Sequence, residues 1–214
     1  MIEILSTKKL TNTQKNILEK ENIKCIDEDF ISIQPKTFES PTLVENAIFT
    51  SKNAVKSIIK SNITIHNCFC VGDKTEAYLI KNGYTVVEKS YQAKALAEQI
   101  IKNHADKNFT LFCGNIRREE LPNLLNENKI KLKEIEVYDT ILTSKNMIRT
   151  FDGVLFFSPS AVESYSQRNL FENTTVFCLG KTTEAAAREH TNNIITANRS
   201  TVENVLVQVI KHFK

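Results

Sequence analysis

Small hydroxylated and basic side chains recur where short apolar runs of the sequence give way to helical segments. These turns are Thr50-Ser51-Lys52, Gly72-Asp73-Lys74-Thr75, Gly114 to Arg118, Phe157-Ser158-Pro159-Ser160 and Gly180-Lys181-Thr182-Thr183. Helix amino termini present unpaired N–H groups and a partial positive charge, each worth about 0.3–1 kcal/mol to an anion. Several such turns on one rim would suit a polyanion. The alternative is that the hydroxyls only cap helices and that Lys52, Lys74 and Lys181 are solvated.

No familiar catalytic or cofactor signature accompanies these turns. The sequence lacks Gly-x-Gly-x-x-Gly, the phosphate loop Gly-x-x-x-x-Gly-Lys-Ser/Thr and the Gly-x-Ser-x-Gly elbow. Its histidines, His66, His104, His190 and His212, show no metal-ligand spacing, and the last three lie near predicted helix ends, where a capping role is expected. We therefore expect neither a metal nor a cofactor, which leaves cofactor-free chemistry or simple binding.

The sequence is internally repeated, and the repeat includes four of these turns. Ala47 to Val55 returns as Val154 to Val162 about 107 residues later, and Cys70 to Ala77 returns as Cys178 to Ala185 at about 108. The same offset pairs Ile4, Leu18 and Ile23 with Leu111, Leu125 and Ile130, and a weaker match pairs Ser90 with Ser200, each predicted to open an amphipathic helix. Matches in this order indicate a tandem duplication that accounts for the whole chain.

Each half alternates predicted strands with helices. In the first half the strands fall near Ile2 to Ser6, Lys24 to Ile26, Ala47 to Phe49, Cys68 to Val71 and Thr85 to Val87. Predicted helix starts are Thr11 with Gln14, Ser200 with Glu203, and Ser158 before Pro159. Alternation of this kind predicts an α/β fold of two doubly wound parallel-sheet domains, with ligands bound beyond the carboxyl ends of the strands.

Two extended segments interrupt this pattern at equivalent places in the two halves. They are Asp29 to Pro35 and Glu134 to Thr140. The first is followed by a stretch with Pro, Thr and Ser, and the second alternates Ile135 and Val137 with acidic neighbours, as a half-exposed strand does. We interpret them as paired connectors between the domains.

Composition narrows the class of protein. Hydrophobic residues are 41% of the chain, charged residues 25%, and the formal net charge is only +3, with no run of Lys or Arg, so nucleic acid is not an expected partner. The start of the sequence lacks a signal peptide pattern and no window resembles a membrane span, which predicts a cytoplasmic protein without a membrane partner. The five cysteines include no Cys-x-x-Cys pair, and four lie in strand-like runs, so we expect reduced core thiols.

Six motifs, each weak alone, occur in an order and spacing that are together specific. They are Ile48 to Val55, Val71-Gly72 with Thr75, Gly114 with Arg118, Val137-Tyr138-Asp139-Thr140, Phe157 to Val162, and Leu179 to Thr183. With these motifs the chain resembles the uroporphyrinogen-III synthase family over essentially its whole length.

The resemblance implies two α/β domains joined by a two-stranded β-ladder, with a cleft between them. The first, discontinuous domain would comprise residues 1–34 and 142–214, and the second residues 35–141, with 29–35 and 134–140 forming the ladder. Each domain would therefore combine parts of both sequence halves.

The resemblance also implies an activity in tetrapyrrole (haem) biosynthesis. The family cyclises hydroxymethylbilane, a linear tetrapyrrole polycarboxylate, with inversion of the last pyrrole ring and loss of water, without metal or cofactor. The implied substrate-binding residues are Thr50, Ser51, Lys52, Gly72, Thr75, Arg118, Ser158, Ser160, Lys181, Thr182 and Thr183. Tyr138 is the implied residue that assists departure of the hydroxyl group; the alternative is that it packs on the ladder. A monomer is expected.

The sequence departs from the family at one place. Members often carry an Arg-Pro pair after the first strand, where this chain has Thr7-Lys8-Lys9. Lysine keeps the charge of arginine but not the geometry of a bidentate carboxylate clamp.

Two other classes of function are alternatives to a synthase. A two-domain binding protein would close around an anionic small molecule without transforming it, and a nucleotide-sugar transferase is disfavoured by the short chain and the missing nucleotide motifs.

Overall fold

The chain folds into two compact units. The computed structural model describes residues 1–39 and 41–214. Unit 1 consists of Met1–Ser32 and Ile141–Lys214, and unit 2 of Ile33–Thr140. Unit 1 therefore draws on two distant parts of the sequence, whereas unit 2 is a single stretch of it.

Strands and helices alternate along the chain, as predicted. The strands are β1 (Ile2–Ser6), β2 (Ile23–Asp27), β3 (Ile31–Pro35), β4 (Leu43–Phe49), β5 (Thr64–Val71), β6 (Val86–Ser90), β7 (Phe109–Gly114), β8 (Leu132–Leu142), β9 (Gly153–Phe156), β10 (Thr175–Cys178) and β11 (Ile194–Thr196). The helices are α1 (Asn12–Glu19), α2 (Lys52–Ile58), α3 (Asp73–Lys81), α4 (Ala93–Asn103), α5 (Glu120–Glu127), α6 (Pro159–Ser166), α7 (Lys181–Arg188) and α8 (Val202–Phe213). No helix in the described part of the chain has the length and apolar character needed to cross a bilayer.

The two sheets have the same strand order, which matches the sequence repeat. Unit 1 has the order β11-β10-β9-β1-β2, and the other sheet has the order β6-β5-β4-β7-β8-β3. All neighbours from β11 to β2 and from β6 to β8 are parallel. In each sheet the two strands at the centre are followed by connections that run to opposite sides, so both sheets have a topological switch point.

Helices cover both faces of each sheet, because consecutive side chains of the central strands are apolar and point to opposite faces. In unit 2, Phe49 of β4 packs in a cluster with residues of α2 and α3, whereas its neighbour Ile48 packs with residues of α4 and α5. In unit 1, Phe156 of β9 belongs to a cluster with α6 and α7, and Leu155 to a cluster with α8. The predicted doubly wound α/β architecture is therefore confirmed.

Two of the predicted helix caps are confirmed and two are wrong. Thr11 forms the predicted capping box with Gln14, and Ser158 caps α6 with Pro159 in the first turn. The last helix is capped by Thr201, not Ser200, because the Thr201 hydroxyl accepts from the Asn204 N–H. Ser90 ends β6 and instead donates to the Gln99 side chain, and α4 begins at Ala93.

Strands β3 and β8 lie in the two predicted connectors. They are neighbours at the end of one sheet. Lys36 N–H donates to the Val137 carbonyl (3.0 Å) and Thr143 N–H to the Phe30 carbonyl (2.9 Å), so the two segments run in opposite directions. β8 is longer than expected, because beyond its pairing with β3 it also pairs in parallel with β7.

The cysteines are free thiols, as predicted. Four are buried, and Cys25 is partly buried. Burial raises the pKa of Cys68, Cys70 and Cys178 to about 12 and that of Cys113 to about 11. These side chains therefore behave as small apolar groups of the core.

The capping box at α1 gives a test of the fold. Thr11→Ala removes the hydroxyl that accepts from Gln14 N–H and should lower the free energy of unfolding by about 1 kcal/mol. Urea denaturation followed by circular dichroism measures this change. Thr13→Ala, at an exposed position in the first turn of the same helix, is the matched control and should cost much less; equal losses in the two variants would contradict the capping role.

Candidate functional site

Half of the predicted site residues follow the carboxyl ends of the strands at the switch points. In unit 2 these ends belong to β4 and β7, and in unit 1 to β9 and β1. Ligands of doubly wound sheets bind at such points, because the connections on either side leave room for them.

The turn after β4 contains Thr50, Ser51 and Lys52. The Ser51 hydroxyl accepts from the Asn53 N–H (3.1 Å) and so caps α2. Lys52 is the first helical residue, and its ammonium lies 5.7 Å from the centre of the Tyr78 ring. Partial burial lowers the pKa of Lys52, and the positive charges of Lys56 and Lys74 lower it further. A negatively charged ligand at this turn would offset the repulsion between these charges.

The turn after β5 contains Gly72 and Thr75. Gly72 is the N-cap of α3 and adopts φ +84°, a conformation that L side chains rarely adopt, and no side chain caps this helix. Thr75 is only 4% exposed, so its hydroxyl is neither a cap nor open to solvent. Asp73 and Glu76 both pair with Lys89. Lys74 is exposed and has no ion pair with a described residue.

The turn after β7 separates the two arginines that the sequence left unresolved. Arg117 Nε lies 2.6 Å from Glu134 and its Nη1 lies 3.5 Å from Glu119, so this guanidinium is already paired within unit 2. Arg118 is exposed and forms no ion pair within the described part of the chain. Its charge is therefore the one available to a ligand, in agreement with its place in the sequence motif.

Tyr138 lies on β8 beside the end of β7 and is 7% exposed. Its ring packs in the cluster that contains Phe49 and Phe112. Burial raises the pKa of its phenol, and the nearby Ser51 hydroxyl partly offsets this by hydrogen bonding. The phenol, which is protonated at neutral pH even at its ordinary pKa, therefore holds a proton to donate, although the raised pKa makes it a weaker acid. Tyr138 and the turn after β4 thus share one corner of unit 2.

In unit 1 the turn after β9 carries Ser158 and Ser160, both half-buried. The Ser158 hydroxyl accepts from the Ala161 N–H (3.2 Å), so Ser158 occupies in α6 the position that Ser51 occupies in α2. Pro159 at the first helical position has no N–H to leave unpaired. The two serine-capped turns are therefore local equivalents, as the repeat predicted.

The turn after β10 begins with Gly180, which is the N-cap of α7. Lys181 and Thr182 are exposed, whereas Thr183 is 3% exposed and does not cap the helix. Thr75 and Thr183 are thus buried in the same way, and neither caps its helix. In both repeats the threonine is the third residue of its helix, where its side chain turns towards the sheet.

The segment after β1 has no arginine clamp and its side chains are engaged locally. Thr7 is buried and its hydroxyl donates to the Leu155 carbonyl (2.7 Å). The Lys8 ammonium lies 4.5 Å from the centre of the Phe157 ring, and the Lys9 ammonium donates to the Asp27 carbonyl (3.1 Å). The departure from the family pattern is therefore accompanied by a different set of contacts.

Three of the histidines pack against aromatic rings. His104 meets Phe69 edge-on at 5.1 Å, and His190 stacks on Phe171 at 5.1 Å. His212 lies beside Phe213 in the last turn of α8. Within the described residues, no three His, Cys, Asp or Glu side chains group in a way that could hold a metal ion.

Sequence reasoning placed Gly114 in a motif with Arg118 and Asn115 in the same turn, but it assigned neither residue a role at this site. The Asn115 side-chain oxygen accepts from the Thr140 N–H (2.8 Å) and from the Ile116 N–H (2.9 Å). A Cβ at Gly114 would lie 2.5 Å from the Tyr138 ring. Both relations depend on the pairing of β7 with β8, which no local sequence pattern specifies.

The chain matches a family of known enzymes. The model of the uroporphyrinogen-III synthase HemD family matches residues 15–206. Among curated proteins, the porphyrin biosynthesis protein HemD of Ruminiclostridium josui is 23% identical over 138 residues, which cover 59% of this chain. The match covers 27% of that protein, so the chain spans about a quarter of the length of this relative.

Two solved structures have a similar fold. The uroporphyrinogen-III synthetase of Helicobacter pylori is 19% identical with a TM-score of 0.75, and the alignment covers 99% of this chain and 100% of that one. A mutant uroporphyrinogen III synthase of Thermus thermophilus is 12% identical with a TM-score of 0.66, over 99% and 98% of the two chains. These similarities establish a shared fold.

The lysines around the turn after β4 give a test of its electrostatics. Lys56→Gln should raise the pKa of Lys52 towards 10.5, because it removes the neighbouring charge that depresses this pKa most, and Lys74→Gln should raise it less. NMR titration of the lysine side-chain carbons measures the change. Lys60→Gln, at an exposed position beyond α2, is the control; a Lys52 pKa that none of these variants alters would contradict the coupling.

Proposed function

The chain belongs to the uroporphyrinogen-III synthase family, and from this premise we propose that it cyclises hydroxymethylbilane with inversion of the last pyrrole ring and loss of water. It would thus be a hydro-lyase of haem biosynthesis. The observation that carries the proposal is the family match over residues 15–206. The geometry of the switch-point turns supports it.

Binding of a polycarboxylate requires cations that are not neutralised within the protein. Lys52, Lys74 and Arg118 in unit 2 form no ion pair with a described carboxylate, nor does Lys181 in unit 1. Ser51 and Ser158 add polar groups at the starts of α2 and α6. We assign the substrate's carboxylates to these residues, together with Thr50, Ser160 and Thr182. Thr75 and Thr183 would support their turns from inside the core.

Tyr138 is the proposed proton donor. The hydroxyl of the substrate leaves as water only after it gains a proton, and a phenol whose pKa is raised by burial keeps its proton at neutral pH. The phenol then regains a proton from solvent when the cycle closes. Because the leaving group departs from an electron-rich pyrrole, the donor is expected to assist the reaction without being indispensable.

The larger contribution is conformational. A linear tetrapyrrole closes in water without inverting its last ring, so the protein must hold it in a shape that brings the other carbon of that ring within bonding distance. Fixed positioning of this kind lowers the activation barrier by more than one proton transfer does. The cations and helix starts at the carboxyl ends of the strands are suited to this positioning, because they can bind carboxylates spread along the substrate.

The synthase activity is testable directly. Purified protein, incubated with freshly generated hydroxymethylbilane and followed by oxidation, should yield uroporphyrin III well above the buffer control when the isomers are separated by chromatography. Only uroporphyrin I, formed at the rate of the control, would refute the proposal. Binding of hydroxymethylbilane without any type III product would favour the alternative, a non-catalytic binding protein for an anionic small molecule.

Tyr138→Phe tests the proton donor. This variant keeps the buried ring and should lower kcat by about 100-fold, at the lower end of what a positioned donor contributes, while the product remains type III. The wild-type kcat should fall above about pH 10 as the phenol loses its proton, and the variant should lack this decline. Tyr84→Phe, which removes another partly buried phenol of unit 2, is the control. Complete loss of activity in a folded Tyr138→Phe variant, or unchanged activity, would contradict this role.

A further inference from the structure

Strand β8 contains one extra residue directly before Tyr138. Cys113 of β7 pairs with Glu136, but the next residue, Gly114, pairs with Tyr138, so Val137 has no partner on β7. An extra residue of this kind is a β-bulge, and it reverses the face to which all later side chains point. Ile135, Val137 and Tyr138 accordingly belong to one buried cluster. Strict alternation would have placed Tyr138 on the opposite face from Val137.

The bulge directs the Tyr138 ring across the end of β7, where only glycine leaves room for it. A Cβ built on Gly114 would lie 2.5 Å from Cε2 and from Cζ of Tyr138 and 3.0 Å from Cδ2. Real Cβ atoms do not approach ring carbons this closely, so an alanine would force the ring to move. Gly114 has no left-handed backbone conformation to explain its presence. The close approach of the ring is the structural requirement for glycine at this position.

Asn115 fixes the part of β8 that follows the bulge. Its backbone N–H donates to the Tyr138 carbonyl (3.2 Å), and its side-chain oxygen accepts from the Thr140 N–H (2.8 Å). These two contacts hold the backbone on both sides of Asp139. The Tyr138 ring thus packs directly against Gly114, and Asn115 holds the backbone that carries the ring.

We propose that Gly114 is a positioning residue for the reaction, because its missing side chain allows the bulged strand to place the Tyr138 phenol beside the Ser51-capped turn after β4. Asn115 acts with it by holding the strand in this register. The inference rests on the proposed function, in which the phenol donates a proton. It assigns the positioning of that donor to two residues that lie outside the proposed set of substrate-binding residues.

A double-mutant cycle tests the proposal. Gly114→Ala should lower kcat by about 10- to 100-fold, because a displacement of about 1 Å is costly for a reacting group. In a Tyr138→Phe background the same substitution should change kcat less than about twofold, since the hydroxyl it misplaces is already absent. The clash with the ring remains in that background, so the loss of stability should be similar in both. Equal losses of kcat in both backgrounds would overturn the proposal.

Gly153→Ala is the matched control. Its Cβ would lie 2.9 Å from the Phe177 ring in unit 1, so it introduces a comparable clash against an aromatic ring without a hydroxyl. It should lower stability and leave kcat of the remaining folded protein nearly unchanged. A fall in kcat as large as that of Gly114→Ala would show that lost stability alone explains the lower kcat of Gly114→Ala, and it would contradict the proposal.

A measurement independent of activity separates this inference from the proposed function. In protein labelled with ¹³C at tyrosine Cζ, the Tyr138 phenol is identified by its absence from Tyr138→Phe, and its pKa should move towards 10 in Gly114→Ala as the ring leaves its buried position. An unchanged phenol pKa would refute the placement by Gly114. Wild-type protein that makes no uroporphyrin III would refute the proposed function, whatever this titration shows.

Asn115 provides a second route if Gly114→Ala does not fold. Asn115→Ala removes the side-chain acceptor for the Thr140 N–H and should lower kcat in the wild-type background but not in the Tyr138→Phe background. Asn115→Asp keeps the acceptor for the Thr140 N–H but loses the longer bond that the side-chain amide donates to the Thr140 carbonyl (3.4 Å), so it should restore part of the activity. Equal behaviour of the alanine and aspartate variants would contradict a role through the register of β8.

Discussion

The burial of both sheet faces is the constraint on which the rest of the structure depends. Helices cover each face, so the carboxyl-terminal parts of the central strands β4 and β9 carry only apolar side chains. Ile48 and Phe49 at the end of β4, and Leu155 and Phe156 at the end of β9, are all fully buried. At these two strands the polar site residues therefore begin only after the strand ends, with Thr50 and Ser51 after β4 and Ser158 after β9. Because parallel strands end at the same edge, this restriction alone gathers the candidate site residues of each unit on one rim.

The same constraint explains why the repeated serine turns are visible in the sequence. It also explains why the burial of the repeated threonines is not. A turn that must cap a helix and follow a buried strand tolerates few residue types, so Ser51 and Ser158 stand out. Thr75 and Thr183 are also small and hydroxylated but lie inside the first turn of their helices, where the side chain faces the sheet. Local sequence cannot distinguish the two cases, since they differ only in which residue begins the helix.

Other features could not be predicted because they arise from pairing between distant segments. The bulge before Tyr138 depends on the register between β7 and β8, and a one-residue difference there moves the ring to the other face of the sheet. The pairing of Arg117 with Glu134, which leaves Arg118 as the exposed cation, also requires two strands to be adjacent. In contrast, the alternation of elements, the Ser158 cap of α6 and the buried cysteines follow from local patterns and were predicted correctly.

The division of unit 1 between two parts of the chain affects the order in which the units can be completed during synthesis. β1 is a central strand of its sheet, and its neighbour β9 begins at Gly153, well after the last residue of unit 2. A growing chain therefore has every strand of unit 2 before it has Gly153, the residue of β9 that pairs with Ile4. Until then β1 and β2 have only each other, and a pair of strands is marginally stable in water. Ile4 and Leu5, buried in the finished protein, are the residues that a ribosome-associated chaperone would meet during this interval.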